Sequence, residues 1–298
     1  MAQEAIAVSH AEAAAQRRQR AARLRLAGRL TLHLILVIVA ITFLVPTAWL
    51  VSSSLKASTE IFESPIHWIP SQPEWGNYVD AFTKEPMFLF ARNSAIVVVA
   101  AVLGTLLTST MVAYSFARLR WPGREFFFGL VVATMMLPDV VTLIPKFILF
   151  KQIGWVDTFL PLTVPYWFGG TAFYIFLMRQ FFKTLPYELE EAARMDGATS
   201  LRILAQIMVP LSKPSLATVA VFAVFANYND FLHPLIYLNH TNDWTLALGI
   251  RAFNDVYSAQ WQLIFAAATA MLLPMVVLFF AAQRYFIEGI HLTGLAGR

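Results

Sequence analysis

Four polar side chains inside long apolar runs are the first candidates for chemistry in this chain. Asp139 lies within one run, and Asn227, Asn229 and Asp230 lie within another. If these runs cross a bilayer, a charge or amide inside them is costly, so such residues usually face a cavity or a partner. They either line a translocation pathway or form hydrogen bonds between helices, and both interpretations stay open for all four residues.

A second concentration of polar residues is the block LEEAARMDGATS, residues 189–200. Pro186 suits a first helical turn, and the residues that follow it are strong helix formers. Gly197 can adopt the left-handed conformation that ends a helix, and Thr199 and Ser200 can cap a second one. The block therefore predicts a helix, a glycine bend and another helix. This unit either lets another surface approach its small alanines closely or is a solvated amphipathic linker lying on the membrane. The helical spacing places four residues on one face: Leu189, Ala192, Ala193 and Asp196.

Motifs for catalysis are missing from the sequence. The chain has no cysteine, and its six histidines show no metal-ligand spacing. It also lacks a GxxxxGK[ST] phosphate-binding loop and any arrangement of a nucleophile with a base. We therefore expect no catalytic residue, no metal site, no cofactor bound by this chain and no ATP hydrolysis by the chain alone.

The composition indicates a polytopic membrane protein. Hydrophobic residues make up 58% and charged residues 13%, whereas soluble domains carry about 25% charged residues. Six apolar segments are long enough to cross a bilayer, which predicts an all-α protein with six transmembrane helices. The predicted spans are residues 30–51, 94–116, 126–150, 159–178, 214–238 and 261–282.

Loops rich in basic residues alternate along the chain with loops that contain few. Six arginines lie between Arg17 and Arg29, and the loops after the second and fourth spans are also rich in basic residues. The positive-inside rule therefore predicts a cytoplasmic basic tail at 1–29, a membrane domain at 30–282 with a cytoplasmic loop at 179–213, and a cytoplasmic tail at 283–298. The net charge of +4 is small and spread over loops, which argues against nucleic-acid binding.

The polar block belongs to a longer pattern. Glu191-Ala192-Ala193 is followed at fixed spacing by Gly197, Ile207 and Val209-Pro210. This spacing resembles the EAA motif of ABC importer permeases, with Val209 replacing the usual leucine. Other segments also resemble that family, specifically its carbohydrate uptake class of maltose type and the six-span subunit: AYSFAR at 113–118, PGR at 122–124, MRQFF at 178–182, NDFLHPL at 229–235 and TLALG at 245–249.

The resemblance implies how such a chain works. The EAA loop would be a coupling helix that contacts a separate ATPase subunit, with Glu191 facing that subunit or bracing the loop. The implied coupling residues are Glu191, Ala192, Ala193, Asp196, Gly197 and Pro210. The implied partners are a homologous permease in a heterodimer, two ABC ATPase subunits that hold ATP and Mg, an extracytoplasmic solute-binding protein, a carbohydrate substrate and the lipid bilayer. The implied location is the bacterial cytoplasmic (inner) membrane, with both termini in the cytoplasm.

Two other classes of function compete with this interpretation. A stand-alone secondary carrier driven by an ion gradient often contains inverted repeats, but the sequence shows no clear repeat and the EAA-like loop has no role in such a carrier. A polytopic membrane enzyme needs a catalytic constellation, and the sequence offers none.

Overall fold

Helices form the regular secondary structure of this protein. The computed structural model describes residues 2–254 and 259–294, with side chains from 26 to 254 and from 259 to 283. Within those ranges, strand pairing is limited to one bridge between Asn254 and Ala259. The predicted all-α class is therefore confirmed.

The helices follow one another along the chain with short connections, apart from the segment between the first two. Their bounds are α1 Ala2–Ser54, α2 Gly76–Lys84, α3 Met87–Arg118, α4 Arg124–Thr134, α5 Asp139–Gln152, α6 Leu160–Thr163, α7 Ala172–Thr184, α8 Glu188–Met195, α9 Ser200–Ile203, α10 Val209–Leu211, α11 Lys213–Tyr228, α12 Leu232–Tyr237, α13 Leu246–Gly249 and α14 Trp261–Gly294. A π-helical stretch, Leu204–Met208, joins α9 to α10.

Three described helices are long and apolar enough to cross a membrane in one piece. They are Leu26–Ser54 of α1, Met87–Arg118 in α3 and Trp261–Gln283 of α14. These helices match the first, second and sixth predicted spans. The helix α1 starts at Ala2, so the predicted tail is helical from Ala2 onward and continuous with the first span. Likewise, α14 continues through the predicted tail at 283–298 as far as Gly294, and residues 295–298 lie outside the described part.

The third predicted span, 126–150, is a broken helix. Its halves, α4 and α5, meet at an angle of 97°. Pro138 disfavours a helical conformation at the residue before it, so the helix stops at Thr134 and restarts at Asp139. Asp139 therefore begins a helix at a bend, where the sequence predicted it within a continuous span.

The fourth predicted span, 159–178, is not one helix either. It contains the short α6, a 3₁₀ turn at Val164–Trp167 and the beginning of α7. Gly169 and Gly170, with φ of 138° and 58°, lie between this turn and α7 in backbone conformations that favour glycine. The helix α7 then continues to Thr184, six residues beyond the predicted end.

The fifth predicted span, 214–238, ends early at Tyr228. A break at 229–231 separates α11 from α12, because Pro234 in α12 cannot donate a bond to the carbonyl of Asp230. At its other end, α11 meets the helix Ser200–Leu211 at an angle of 81°. Asn229 and Asp230 therefore lie at a break, where a continuous span was predicted.

The long helix α3 is the centre of the packing and makes its most extensive contacts with α7 and α11. At Gly104 an added Cβ would lie 2.6 Å from Cδ1 of Trp167, so only glycine allows the tryptophan ring to approach. The Trp167 indole nitrogen donates a hydrogen bond to the Ala100 carbonyl at 3.1 Å. Small residues at such crossings allow close helix packing inside membranes.

Candidate functional site

The polar block forms the predicted helix, bend and helix. The helix α8 carries three glutamates in its first turn, where negative charge favours the helix dipole. Gly197 has φ of +79°, and its amide donates to the Arg194 carbonyl at 3.0 Å as the helix ends. Thr199 then caps the next helix by accepting a bond from the Arg202 amide at 3.4 Å. This arrangement gives the loop a compact and defined shape.

The inward face of α8 carries a charged residue. Glu190 and Ala193 are the buried residues of this helix, with 4% and 9% of their surfaces exposed. Leu189, Ala192 and Asp196, which the helical spacing places on one face with Ala193, are exposed. The helix therefore turns a carboxylate toward the membrane domain.

Arg118, the last residue of α3, is the partner of Glu190. Its Nε lies 3.7 Å from a Glu190 carboxylate oxygen, and both side chains are at least 95% buried. The same guanidinium donates to the Phe182 and Leu185 carbonyls at the end of α7. It also lies 4.1 Å from the ring centroid of Tyr187, just before α8. One arginine therefore joins the end of α3, the end of α7 and the loop helix.

The electrostatics of Glu190 reflect this burial. Burial raises the pKa of the Glu190 carboxyl, against the smaller opposing effects of Arg118 and Arg194. Arg194, one turn further along α8, lies 3.9 Å from the other carboxylate oxygen and is half exposed. Loss of hydration therefore outweighs the attraction of the two guanidinium groups.

A second buried arginine holds α7 to α4. Arg179 donates to both carboxylate oxygens of Glu125, at 2.8 and 3.1 Å, and to the Phe116 carbonyl at 3.3 Å. Its guanidinium carbon lies 3.8 Å from the ring centroid of Phe128. Arg118 and Arg179 come from the AYSFAR and MRQFF segments, whose roles the sequence did not reveal. The position of each arginine at the end of an apolar run was the one feature of the sequence that could have indicated these roles.

The outer face of the loop is open. Of the six residues predicted to couple this chain to an ATPase, Ala193 is buried, whereas Glu191, Ala192, Asp196, Gly197 and Pro210 are exposed. Met195, beside them, has 89% of its surface exposed. The Glu191 carboxylate has no hydrogen bond or ion pair with any described residue. The exposed side of α8 thus presents a small, partly apolar surface, while the opposite side of the same helix is held by Arg118.

The bends of α4–α5 and α11–α12 bring a polar cluster together. Both ring nitrogens of His233 lie 2.9 Å from carboxylate oxygens, one from Asp230 and the other from Asp139. The second oxygen of Asp139 accepts from the Lys146 ammonium at 2.7 Å. A neutral imidazole has one N–H, so both contacts are hydrogen bonds only when the ring is protonated twice. In that state the cluster has two positive and two negative charges.

The four predicted pathway residues therefore separate into two pairs. Asp139 and Asp230 meet across His233. His233 is not among the residues predicted from the sequence, although its position three residues after Asp230 was a signal. Asn227 and Asn229 instead donate to carbonyls of their own helix, Ala223 at 2.8 Å and Phe225 at 2.9 Å. In the described part of the chain, no group of three or more His, Cys, Asp or Glu side chains has a metal-binding arrangement.

Comparison with known proteins extends these observations. Residues 106–291 match the family described as the binding-protein-dependent transport system inner membrane component. The sulfoquinovosyl glycerol transport system permease protein SmoH of Agrobacterium fabrum is 30% identical over 260 residues, which are 87% of this chain and 91% of that protein. The arabinooligosaccharides transport system permease protein AraQ of Halalkalibacterium halodurans is 33% identical over 255 residues, 85% of this chain and 91% of that protein.

A solved structure shares the fold. A chain in the crystal structure of a bacterial ABC transporter involved in the import of the acidic polysaccharide alginate superposes with a TM-score of 0.77. The match covers 88% of this chain and 97% of that chain at 23% sequence identity. The overall arrangement of helices in this chain is thus one already seen in a solved structure.

Proposed function

Because the chain belongs to the family of binding-protein-dependent transport system inner membrane components, we propose that it is the transmembrane permease subunit of an ATP-binding-cassette importer. The substrate is a sugar or a sugar-like solute, which moves into the cytoplasm. Two relatives named for glycoside or oligosaccharide transport support this substrate class. The stand-alone ion-coupled carrier is not favoured, because full-length relatives are permease subunits of transport systems.

One observation carries the mechanism: α8 is exposed on its outer face and braced on its inner face. Glu191, Ala192 and Met195 are exposed for contact with an ATPase subunit. Glu190, on the opposite face, contacts Arg118, which also binds the end of α7. A displacement of α8 is therefore transmitted to α3 and α7 through the buried Arg118 side chain. Nucleotide on the ATPase would bias two positions of this braced unit.

The remaining parts of the assembly follow from the family. We expect a homologous permease in a heterodimer, two ABC ATPase subunits that hold ATP and Mg, and an extracytoplasmic solute-binding protein. The chain has no phosphate-binding loop of its own, so ATP hydrolysis takes place on the partner subunits. The chain lies in the bacterial inner membrane, with α8 and both termini on the cytoplasmic side, as the distribution of basic residues favours.

Solute passes near the bends of the broken helices in this mechanism. Asp139 and Asp230 are the pathway candidates whose side chains meet, through His233. Asn227 and Asn229 are candidates for the same pathway on sequence grounds. Discontinuous helices that end near charged groups are a common design of substrate sites in transporters.

The experiment is uptake by the reconstituted assembly carrying Gly197→Asp. Gly197 has φ of +79° and open space around it, so aspartate strains the bend and places a charge at the proposed ATPase contact. Uptake should fall to the background, while the chain still inserts into the membrane and the rest of the fold keeps its stability. Gly154→Asp is the matched control, because Gly154 has φ of +72° and equally open space but lies in the α5–α6 connection.

Two outcomes would contradict the proposal. Wild-type uptake by Gly197→Asp would remove α8 from the coupling mechanism. Uptake that persists with an inactivated ATPase and stops with a protonophore would favour the ion-coupled carrier.

A further inference from the structure

A cavity of about 590 Å³ lies between the end of α3, the start of α4 and the beginning of α8. Arg118, Arg120 and Arg124 line it, together with Trp121 and Tyr187. Glu125 is the one carboxylate among the lining residues. The cavity is therefore rich in guanidinium donors, which are well suited to bind phosphate.

The ion pairs around the cavity leave positive charge uncompensated. Among the described residues, the carboxylates of Glu125 and Glu190 form all the ion pairs of the neighbouring arginines. The four arginines that share them are Arg118, Arg124, Arg179 and Arg194. Arg120 is exposed and forms no ion pair or hydrogen bond with a described residue. An anionic ligand would supply the missing negative charge.

Hydrogen-bond donors beside the cavity are also without acceptors. Nη1 of Arg118 and Nε1 of Trp121 are buried and have no hydrogen-bond partner in the described part of the chain. Buried donors nearly always have an acceptor in folded proteins. Phosphate oxygens are acceptors of the right charge for this set of donors.

The depth of the cavity identifies the source of the phosphate. Arg118 ends the spanning helix α3, and Arg124 begins the first half of the broken span α4–α5. The cavity thus lies where two apolar helices leave the hydrocarbon. Phe126 and Phe127 follow directly and are 66% and 50% exposed, as expected of aromatic residues at the membrane interface. Basic pockets at this level on the cytoplasmic side bind the headgroups of anionic lipids.

We propose that this cavity binds the phosphate of an anionic phospholipid from the cytoplasmic leaflet. Arg120 is the residue that reaches the headgroup from solvent, and Arg118 and Trp121 form the inner wall. Because Arg118 and Tyr187 also hold α8, the bound headgroup stabilises the braced position of the loop helix. That consequence for transport rests on the proposed function, whereas the binding rests only on the membrane orientation given there.

The test uses the full chain, without ATPase, in phosphatidylcholine nanodiscs containing increasing amounts of a photoactivatable phosphatidylglycerol. Crosslinks are assigned to peptides by mass spectrometry. We expect saturable labelling of the peptide that contains residues 117–126, and about fivefold weaker apparent binding for Arg120→Gln, the effect of one basic residue near the surface. Arg92→Gln is the matched control, because Arg92 is also exposed and unpaired but lies near the other end of α3.

The outcomes separate the possible ligands. Equal labelling of wild type and Arg120→Gln would overturn the site. Labelling abolished by millimolar inorganic phosphate, with phosphate binding to the lipid-free chain in detergent, would assign a free anion and overturn the lipid source. Neither readout depends on uptake, so this proposal and the proposed function fail independently.

Discussion

Glu190 offers a way to separate the packing of the loop helix from its charge. Its carboxylate is buried against Arg118, and the two opposite charges lie 3.7 Å apart. Glu190→Gln keeps the size of the side chain and an acceptor for Arg118 while it removes the negative charge. Glu190→Ala removes both the charge and the acceptor, and leaves a void beside a buried guanidinium.

The structure allows the two costs to be estimated. Opposite charges at this distance attract by about 4 kcal/mol at an effective dielectric constant of about 20, but each buried ion loses several kcal/mol of hydration. Since burial raises the pKa of Glu190 despite Arg118, the hydration loss is the larger effect. We therefore expect Glu190→Gln to change the free energy of α8 docking by less than about 1 kcal/mol. Glu190→Ala should cost about 2–3 kcal/mol.

The raised pKa also fixes the sign of the pH dependence. A carboxyl with a raised pKa in the docked state binds its proton more tightly there, so acid favours docking. The contribution of Glu190 is fully present below its ordinary pKa of 4.5 and is lost as pH rises through the raised value. Glu190→Gln, which cannot ionise, should show no such dependence.

Hydrogen exchange of the α8 amides in the full chain measures this docking. Glu190→Ala should speed exchange about 30- to 150-fold, because 1.4 kcal/mol corresponds to a tenfold change in an equilibrium constant. Glu188→Ala is the control on the same helix; its side chain is exposed, and the change should stay within about 0.5 kcal/mol. Equal effects of Glu190→Gln and Glu190→Ala, or an Ala effect no larger than that of the control, would refute the reasoning.

Two further predictions concern thermal unfolding of the purified chain, with wild type as the reference. Glu125→Ala should lower the free energy of unfolding by about 2–3 kcal/mol, because it leaves the 96% buried Arg179 side chain without its carboxylate partner. Arg179→Met should cost less than about 1 kcal/mol, because the 63% exposed Glu125 carboxylate is then hydrated. A larger loss for Arg179→Met than for Glu125→Ala would contradict this reasoning. His233→Leu removes two contacts to carboxylates, for a loss of about 2 kcal/mol, and added Asp230→Asn should recover part of it. No recovery would mean that the imidazole acts through packing alone.

The features that depend on short-range patterns were predictable. The three continuous spans follow from apolar runs that exceed the thickness of the hydrocarbon. The bend at Gly197 follows from a glycine placed directly after a run of helix formers, and the structure gives it the left-handed conformation. Motif spacing located the loop helix, because the spacing depends on the order of residues and not on tertiary contacts.

The broken helices were not predictable from the same patterns. Prolines are tolerated inside transmembrane helices when neighbours satisfy the freed carbonyls. Pro145 lies within α5, whereas Pro138 lies in the break where α4 and α5 meet at 97°. The two prolines differ in the packing around them, and that packing cannot be inferred from the local sequence of apolar residues. The same holds for Gly169 and Gly170, which interrupt the fourth predicted span.

The partners of the polar side chains were the least predictable part. The helical spacing grouped Ala192 with Ala193 on one face of α8, but it did not show that Glu190 is buried beside Arg118. Arg118 belongs to a helix much earlier in the chain, so no local pattern joins the two residues. In the same way, His233 was selectable from its spacing to Asp230, but its contact with Asp139 required the two bends.

The central claim is that the outer face of α8 is where an ATPase subunit contacts this chain. The chain has no cysteine, so a single cysteine at Met195, which is 89% exposed, reports this surface alone. We predict that maleimide labels Met195→Cys in the isolated chain and that assembly with the ATPase subunits abolishes the labelling. Ile69→Cys, at a site 82% exposed in the α1–α2 connection, should be labelled equally in both states. Undiminished labelling of Met195→Cys in an assembly that transports solute would contradict the account.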